Sequence, residues 1–269
     1  MGNARLGLIA LLCGVSLNAQ AALVVCADPN NLPFSNRQEG GFENQLAQIL
    51  ARDLHTQVQY EWWAQRRGFA RQTLAQSRCD IWPGVASGIQ TMATSSPYYR
   101  STYAFVTLAA KPLDHLSLDD PRLRKMLIGV QLVGDDGMNT PPASALAARG
   151  ITDNVRGFTL YGDYRRPNPP AAILDAVVNH TVNLALVWGP LAGFYALHSR
   201  APLRLEPIPS DPGSASPMSF AICVGVRRDE PQLLAQINDA LHRNAARIER
   251  LLKLFGVPQV ALDSAHSPP

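Results

Sequence analysis

Short apolar runs alternate along this chain with stretches of helical spacing. Leu23 to Ala27 is a continuous apolar run of strand length, and Val58 to Trp62 alternates with a period of two. Between them Phe42, Leu46, Ile49, Leu50 and Leu54 recur at helical spacing after Gly40-Gly41, which predicts a helix over 42–54. Arg67 to Gln76 reads as the next helix. Ile81 to Val85 reads as a strand broken by Pro83-Gly84, and Tyr103 to Leu108 as a further strand. This β-α-β-α-β order predicts a mostly parallel sheet covered by helices.

The rhythm then restarts. Strands are predicted at 126–132, 157–161 and 182–188, and helices at 142–149, 170–179 and 190–197, each with proline near its start. Ile208 to Pro217 is rich in Pro, Ser, Gly and Asp and reads as a loop. A strand at 220–226 follows. One long helix over 231–255 then opens on Asp229-Glu230-Pro231. The last strand and helix have no sheet of their own and must join one of the two modules. Ligands of open α/β sheets sit at the carboxyl ends of the strands, and the cleft between two modules is the default site.

Composition narrows the class. The 269 residues are 46% hydrophobic and 17% charged, a globular profile with room for two modules. Lys plus Arg is 24 against 21 Asp plus Glu, a balance that argues against a nucleic-acid partner.

The amino terminus reads as an address. Arg5, the apolar stretch Leu6 to Leu17 and the small residues of Ala19-Gln20-Ala21 form a secretory signal peptide over 1–21. The stretch is shorter than the roughly 20 residues that cross a bilayer, and no later stretch is long and apolar enough. We expect an exported protein without a membrane span, in the periplasm. Export would put Cys26, Cys79 and Cys223 in an oxidising space. Adjacent strands could bring Cys26 and Cys79 together, and Cys223 reads as a small buried apolar residue. Sequence spacing leaves their connectivity open. They offer no close-spaced ligand pair, so no metal is expected.

Several longer tracts carry a family likeness. Gly41-Phe42-Glu43-Asn44 leading into a helix, Cys79-Asp80 before a strand and Ser96-Pro97-Tyr98-Tyr99 before a crossing strand resemble the first lobe of periplasmic solute-binding proteins of family 3. The segments 26–36, 65–69, 97–103, 134–137, 139–142, 161–170 and 187–193 resemble more narrowly the quinoprotein-dehydrogenase-associated binding proteins of the MoxJ/XoxJ type. The likeness covers nearly all of the chain after the signal segment. It implies an α/β fold of two lobes, each a mostly parallel sheet flanked by helices, with two crossing segments as the hinge. The first lobe would hold 22–108 plus 205–258, the second 109–204, and 259–269 would be a tail. It also implies a Cys26–Cys79 disulfide and leaves Cys223 without a family role.

The strand-end rule then nominates cleft residues. The first lobe offers Asp28, Asn30, Phe34, Trp63, Arg66, Gly84 and Tyr99. The second offers Asp135, Asp136, Asn139, Thr140, Arg165, Arg166, Trp188 and Gly189. Such a mixture suits a small polar or anionic group between aromatic faces, since Arg can hold a carboxylate with two parallel hydrogen bonds. Each nominee has an ordinary alternative. One of the adjacent Trp62 and Trp63 belongs to the core, Arg66 could be solvated, Asp135-Asp136-Gly137 is a turn sequence, and Tyr98-Tyr99 could pack at the hinge.

The chain also departs from amino-acid-binding relatives. Ser87 to Thr94 lacks the Arg that takes a substrate carboxylate, and Trp188-Gly189-Pro190 stands where an acid would hold the amino group. The resemblance therefore implies a partner rather than an amino acid. That partner would be a PQQ-dependent alcohol dehydrogenase or its cytochrome, which the chain would bind and help to mature or activate. An importer receptor for another small polar solute is the alternative. No nucleophile–base pair or triad spacing suggests an enzyme, and no cofactor is expected.

Overall fold

The computed structural model describes residues 21–111, 113–133, 139–209 and 217–261. Most of the expected signal segment, Asp135 and Asp136 lie outside the described residues. In chain order the elements begin with β1 (Leu23–Ala27), β2 (Asn30–Asn31), β3 (Ser35–Asn36), α1 (Phe42–Asp53), β4 (Val58–Trp62) and α2 (Phe69–Gln72). Next come β5 (Ile81–Ala86), β6 (Ala93–Thr94), β7 (Tyr99–Leu108), β8 (Ile128–Leu132), α3 (Pro141–Ala148) and β9 (Val155–Thr159). The chain continues through α4 (Ala172–Val178), β10 (Leu184–Trp188), α5 (Gly189–His198), β11 (Leu203–Pro207), β12 (Ser219–Val226), α6 (Pro231–Arg243) and α7 (Ala245–Leu254).

β1 pairs in parallel with β4 and β5 and is apolar throughout because both its faces are covered, Leu23, Val25 and Ala27 in one core cluster and Val24 and Cys26 in another. α1 buries Phe42, Leu46, Ile49 and Leu50 on that sheet. Its entry requires glycine: a Cβ at Gly41 would stand 2.0 Å from the carbonyl oxygen of Phe34. The Asn44 side chain accepts the backbone N–H of Gly41 at 3.1 Å and of Asn36 at 3.2 Å, which fixes the turn before the helix.

β12 inserts antiparallel between β5 and β7, so the last strand joins the first module. β7 is the pivot of the architecture. Tyr99–Thr102 pairs with β12, whereas Tyr103–Val106 pairs with β10 and Ala104–Leu108 with β11. The second sheet runs β7-β10-β8-β9, with the last three parallel. On this pairing we propose Thr102/Tyr103 as the lobe boundary, with 103–108 and 203–207 in the second lobe. Chain also returns to the first lobe between β11 and β12.

Four sequence expectations need correction. Pro83-Gly84 does not break β5: the ladder to β12 shifts register between Cys223 and Gly225, and the irregularity absorbs the missing donor. The helix over 67–76 is divided at Thr73 into α2 and a 3-10 turn, Leu74–Gln76. The long final helix is divided at Asn244, whose side chain donates to Asp53 at 2.7 Å and to the Ala240 carbonyl at 2.9 Å. β11 is an unforeseen strand whose charged residues Arg204 and Glu206 hide its pairing with β7.

Cys26 and Cys79 form a disulfide across 53 residues, with Cα atoms 5.4 Å apart, among Phe69, Leu74, Val85 and Met92. Cys223 is a buried free thiol. Closing a loop of that length contributes about 4 kcal/mol in the chain-entropy picture. The double variant Cys26→Ala/Cys79→Ala should therefore lose about that much in urea unfolding. A loss below about 1 kcal/mol would contradict it.

Candidate functional site

A cavity of about 320 Å³ opens between the lobes, within the range of small-ligand pockets. From the first lobe Phe34, Glu43, Gln65, Gly84, Phe220 and Ile222 face it; from the second, Tyr103, Gln131, Leu160, Tyr161, Trp188 and Leu191. Gly84, Gln131, Leu160 and Trp188 stand at or just beyond the carboxyl ends of parallel strands, as the strand-end rule requires. Tyr103 and Phe220 come from the two strands that join the lobes. The Trp188 ring lies 5.2 Å from Tyr103 and 5.9 Å edge-on to Phe220, so these rings form one wall. Among the described residues no Lys or Arg lines the cavity.

Glu43 is the chemical exception in this lining. It sits in the first turn of α1 and is 8% exposed, and its side chain makes no hydrogen bond or ion pair among the described residues. Gly84 makes room for it: a Cβ there would meet Glu43 Oε1 at 2.2 Å, and its φ of +79° independently favours glycine. Burial, and after it the charge of Asp28, pushes the Glu43 carboxyl up to about 8. Near neutral pH the cavity therefore holds a largely neutral acid.

Beside the cavity the lobes are latched. Asp28, 2% exposed, accepts the backbone N–H groups of Gln65 at 2.6 Å and Asn30 at 2.8 Å. It also accepts the Tyr164 hydroxyl from the opposite lobe. Asn30 donates to the Arg166 carbonyl at 2.8 Å and accepts the Asn168 N–H at 3.1 Å. The Arg66 guanidinium stacks 4.8 Å from the centre of the Tyr164 ring.

No family model matches the chain. It is 32% identical to Protein MoxJ of Methylorubrum extorquens over 88% of this chain and 81% of that protein, and 29% identical to Protein MoxJ of Paracoccus denitrificans, over 88% of each. Among solved structures, MxaJ from Methlophaga aminisulfidivorans superposes with a TM-score of 0.77 at 29% identity, covering 89% of this chain and 100% of that one. The periplasmic binding protein XoxJ from Methylobacterium extorquens gives 0.74 at 32% identity, with the same coverage. The chain belongs to the MoxJ/XoxJ family of periplasmic binding proteins. An ancestral cationic amino-acid solute-binding protein, 20% identical with a TM-score of 0.67 and covering 87% of this chain and 95% of that one, shares the fold alone.

In this MoxJ/XoxJ-type cleft the nominated residues take several places. Phe34, Gly84 and Trp188 line the cavity, while Asp28, Asn30 and Arg66 form the latch. Arg165 pairs with Asp163 at 2.8 Å with its side chain 89% exposed, and both Arg165 and Arg166 line an outer recess beyond the latch. Trp63 lies outside the cavity, under the Arg78 guanidinium; its neighbour Trp62 packs on the first-lobe core. Tyr99 is buried against Phe42 in that core. Thr140 donates to the Gln131 carbonyl at 2.6 Å, and Asn139 is exposed. Gly189 packs on the hinge, where a Cβ would meet the Thr102 carbonyl at 2.5 Å. Glu43, Tyr103, Gln131 and Phe220 were not nominated. Glu43 lay within a quoted family tract, and its signal was a carboxylate on the apolar face of α1.

The raised Glu43 carboxyl has a stability consequence. Its folded pKa exceeds its unfolded value, so its contribution is fully present below about pH 4.5 and is lost as pH rises through about 8. Glu43→Gln should remove that loss. In denaturant titrations the variant should gain on the wild type by a few kcal/mol, on the order of 1.4 per pH unit, between those limits. A constant difference across that window would contradict the assignment.

Proposed function

We propose that the chain is an exported, periplasmic binding protein of the methanol-oxidation type. It binds a PQQ-dependent alcohol dehydrogenase, or that enzyme's cytochrome partner, and assists maturation or activation by gripping a segment of it between the lobes. The observation that carries this reading is the chemistry of the cavity wall. A free amino acid brings a carboxylate that needs a cationic or multiply donating anchor, and leaving it unpaired costs several kcal/mol, on the order of a thousandfold in affinity. Trp188, Tyr103 and Phe220 offer instead an aromatic surface of the kind that anchors protein side chains. The family relationship supports the same partner. The chain acts by binding and not by catalysis, with no cofactor of its own.

A second reading has one observation in its favour. The latch of Asp28 and Asn30 onto residues 164–168 closes a cavity of solute size, as a receptor for a small polar solute other than a standard amino acid would do.

A titration with purified dehydrogenase, apo and holo, beside a panel of small solutes separates the two. We expect saturable binding to the dehydrogenase, stronger for one maturation state, and silence from the panel. Trp188→Ala should weaken dehydrogenase binding by at least about tenfold. Tight binding of one solute with no response to the dehydrogenase would reject the accessory role.

A further inference from the structure

Glu43 is placed where its only remaining partner is a guest. Its carboxyl is more than nine-tenths buried, faces the cavity, and finds no hydrogen-bond donor among the described residues. The charged and titratable groups around it come from two elements. Asp28 follows β1, and Tyr98 and Tyr99 approach from the start of β7. Arg66 stands outside, on the Tyr164 ring. The field inside the cavity is thus set by two carboxyl groups, with no basic side chain in the described lining.

This arrangement sorts guests by charge. An anion would be repelled by the charge of Asp28 behind the lining and would find at Glu43 an acid that could only donate a single proton. A neutral hydroxyl could hydrogen-bond to Glu43 but would gain little from Asp28 or from the rings. A cation gains from all three: the carboxyl pair attracts it, and the faces of Tyr103, Trp188 and Phe220 carry negative quadrupole charge. Leu160, Leu191 and Ile222 supply apolar wall for an aliphatic stem.

We propose that the cleft captures a cationic side-chain tip, so that the partner segment is anchored by a lysine or an arginine whose charge rests on Glu43. This inference builds on the reading that the cleft grips a protein segment, and it names the chemistry of that segment. Proton balance follows directly. Near neutral pH Glu43 gives its proton to solvent as the cation enters, leaving a carboxylate paired with an ammonium or guanidinium. Binding should therefore tighten by about tenfold per pH unit up to about pH 8 and then level off.

The test uses the whole mature chain and three four-carbon probes: n-butylammonium, n-butanol and butyrate. Calorimetry from pH 6 to 9, in buffers of different ionisation enthalpy, should show saturable butylammonium binding with proton release and the stated pH profile. Butanol should bind at least about tenfold more weakly at pH 8, and butyrate should not bind. Glu43→Gln should abolish the pH profile and the proton release. Equal affinity for butanol and butylammonium in the wild type would overturn the proposal whatever the variant does. A second arm identifies the source of the cation. Excess butylammonium should weaken dehydrogenase binding, and dehydrogenase binding should follow the same pH profile. If the dehydrogenase binds but ignores butylammonium, pH and Glu43→Gln, the cation anchor is wrong while the accessory role stands. If butylammonium binds as stated and the dehydrogenase does not bind at all, the anchor belongs to a free amine and the partner-segment source is wrong.

Discussion

The ten-residue ladder of β7 holds this molecule together as one object. Its first four residues bond to β12 and its last six to β10 and β11, so one strand belongs to two sheets. The position of the cleft follows from that constraint. Where the strand leaves one sheet for the other, the parallel strands on either side end facing the same gap, and Tyr103 and Phe220 stand at its floor. Gly189 shows how closely the second lobe seats on this ladder, since a single added carbon would strike the Thr102 carbonyl.

The electrostatics of the gap depend on what the fold keeps out of it. Arg66 is drawn onto Tyr164 and Arg165 onto Asp163, leaving the basic side chains on the rim or the outer recess. Asp28 is saturated by two backbone donors and the Tyr164 hydroxyl, and thereby ties one lobe to the other. The Glu43 carboxyl accepts no hydrogen bond from the described residues. It is kept in place by the packing of α1 and by the absence of a side chain at Gly84. A buried polar group without a partner is costly, and its retention at the one spot that opens to the cavity is the strongest chemical signal in the site.

Much of the architecture was legible because period and burial agree. β1 and β10 are apolar runs in parallel pairing, and α1 carries a clean helical stripe. Phe34, Gly84 and Trp188 could be placed by the strand-end rule alone. Other features were hidden for identifiable reasons. β11 (LRLEP) exposes Arg204 and Pro207 and half-buries Glu206 beside Leu205, so it shows no hydrophobic alternation strong enough to read. Tyr99 and Tyr103 share a strand and a parity, yet one faces a core and the other the cleft, because β7 changes sheets between them. Arginines near strand ends suggested an anion site, but sequence does not say which of them a neighbouring ring or carboxylate will claim. Glu43 stands at a helix start, where the helix dipole favours an acid, and its place on the apolar face of α1 was the one sequence sign that it turns inward.

The central claim is that the dehydrogenase enters the gap between the lobes and does not merely rest on an outer face. Hydrogen–deuterium exchange on the intact chain, with and without saturating dehydrogenase, tests it directly. The account predicts added protection at the segments around Gly84, Gln131, Leu160 and Trp188, whose backbones border the cavity. Protection confined to the outer recess around Arg165 and Arg166, or to the exposed faces of α6 and α7, with those four segments unchanged, would contradict it.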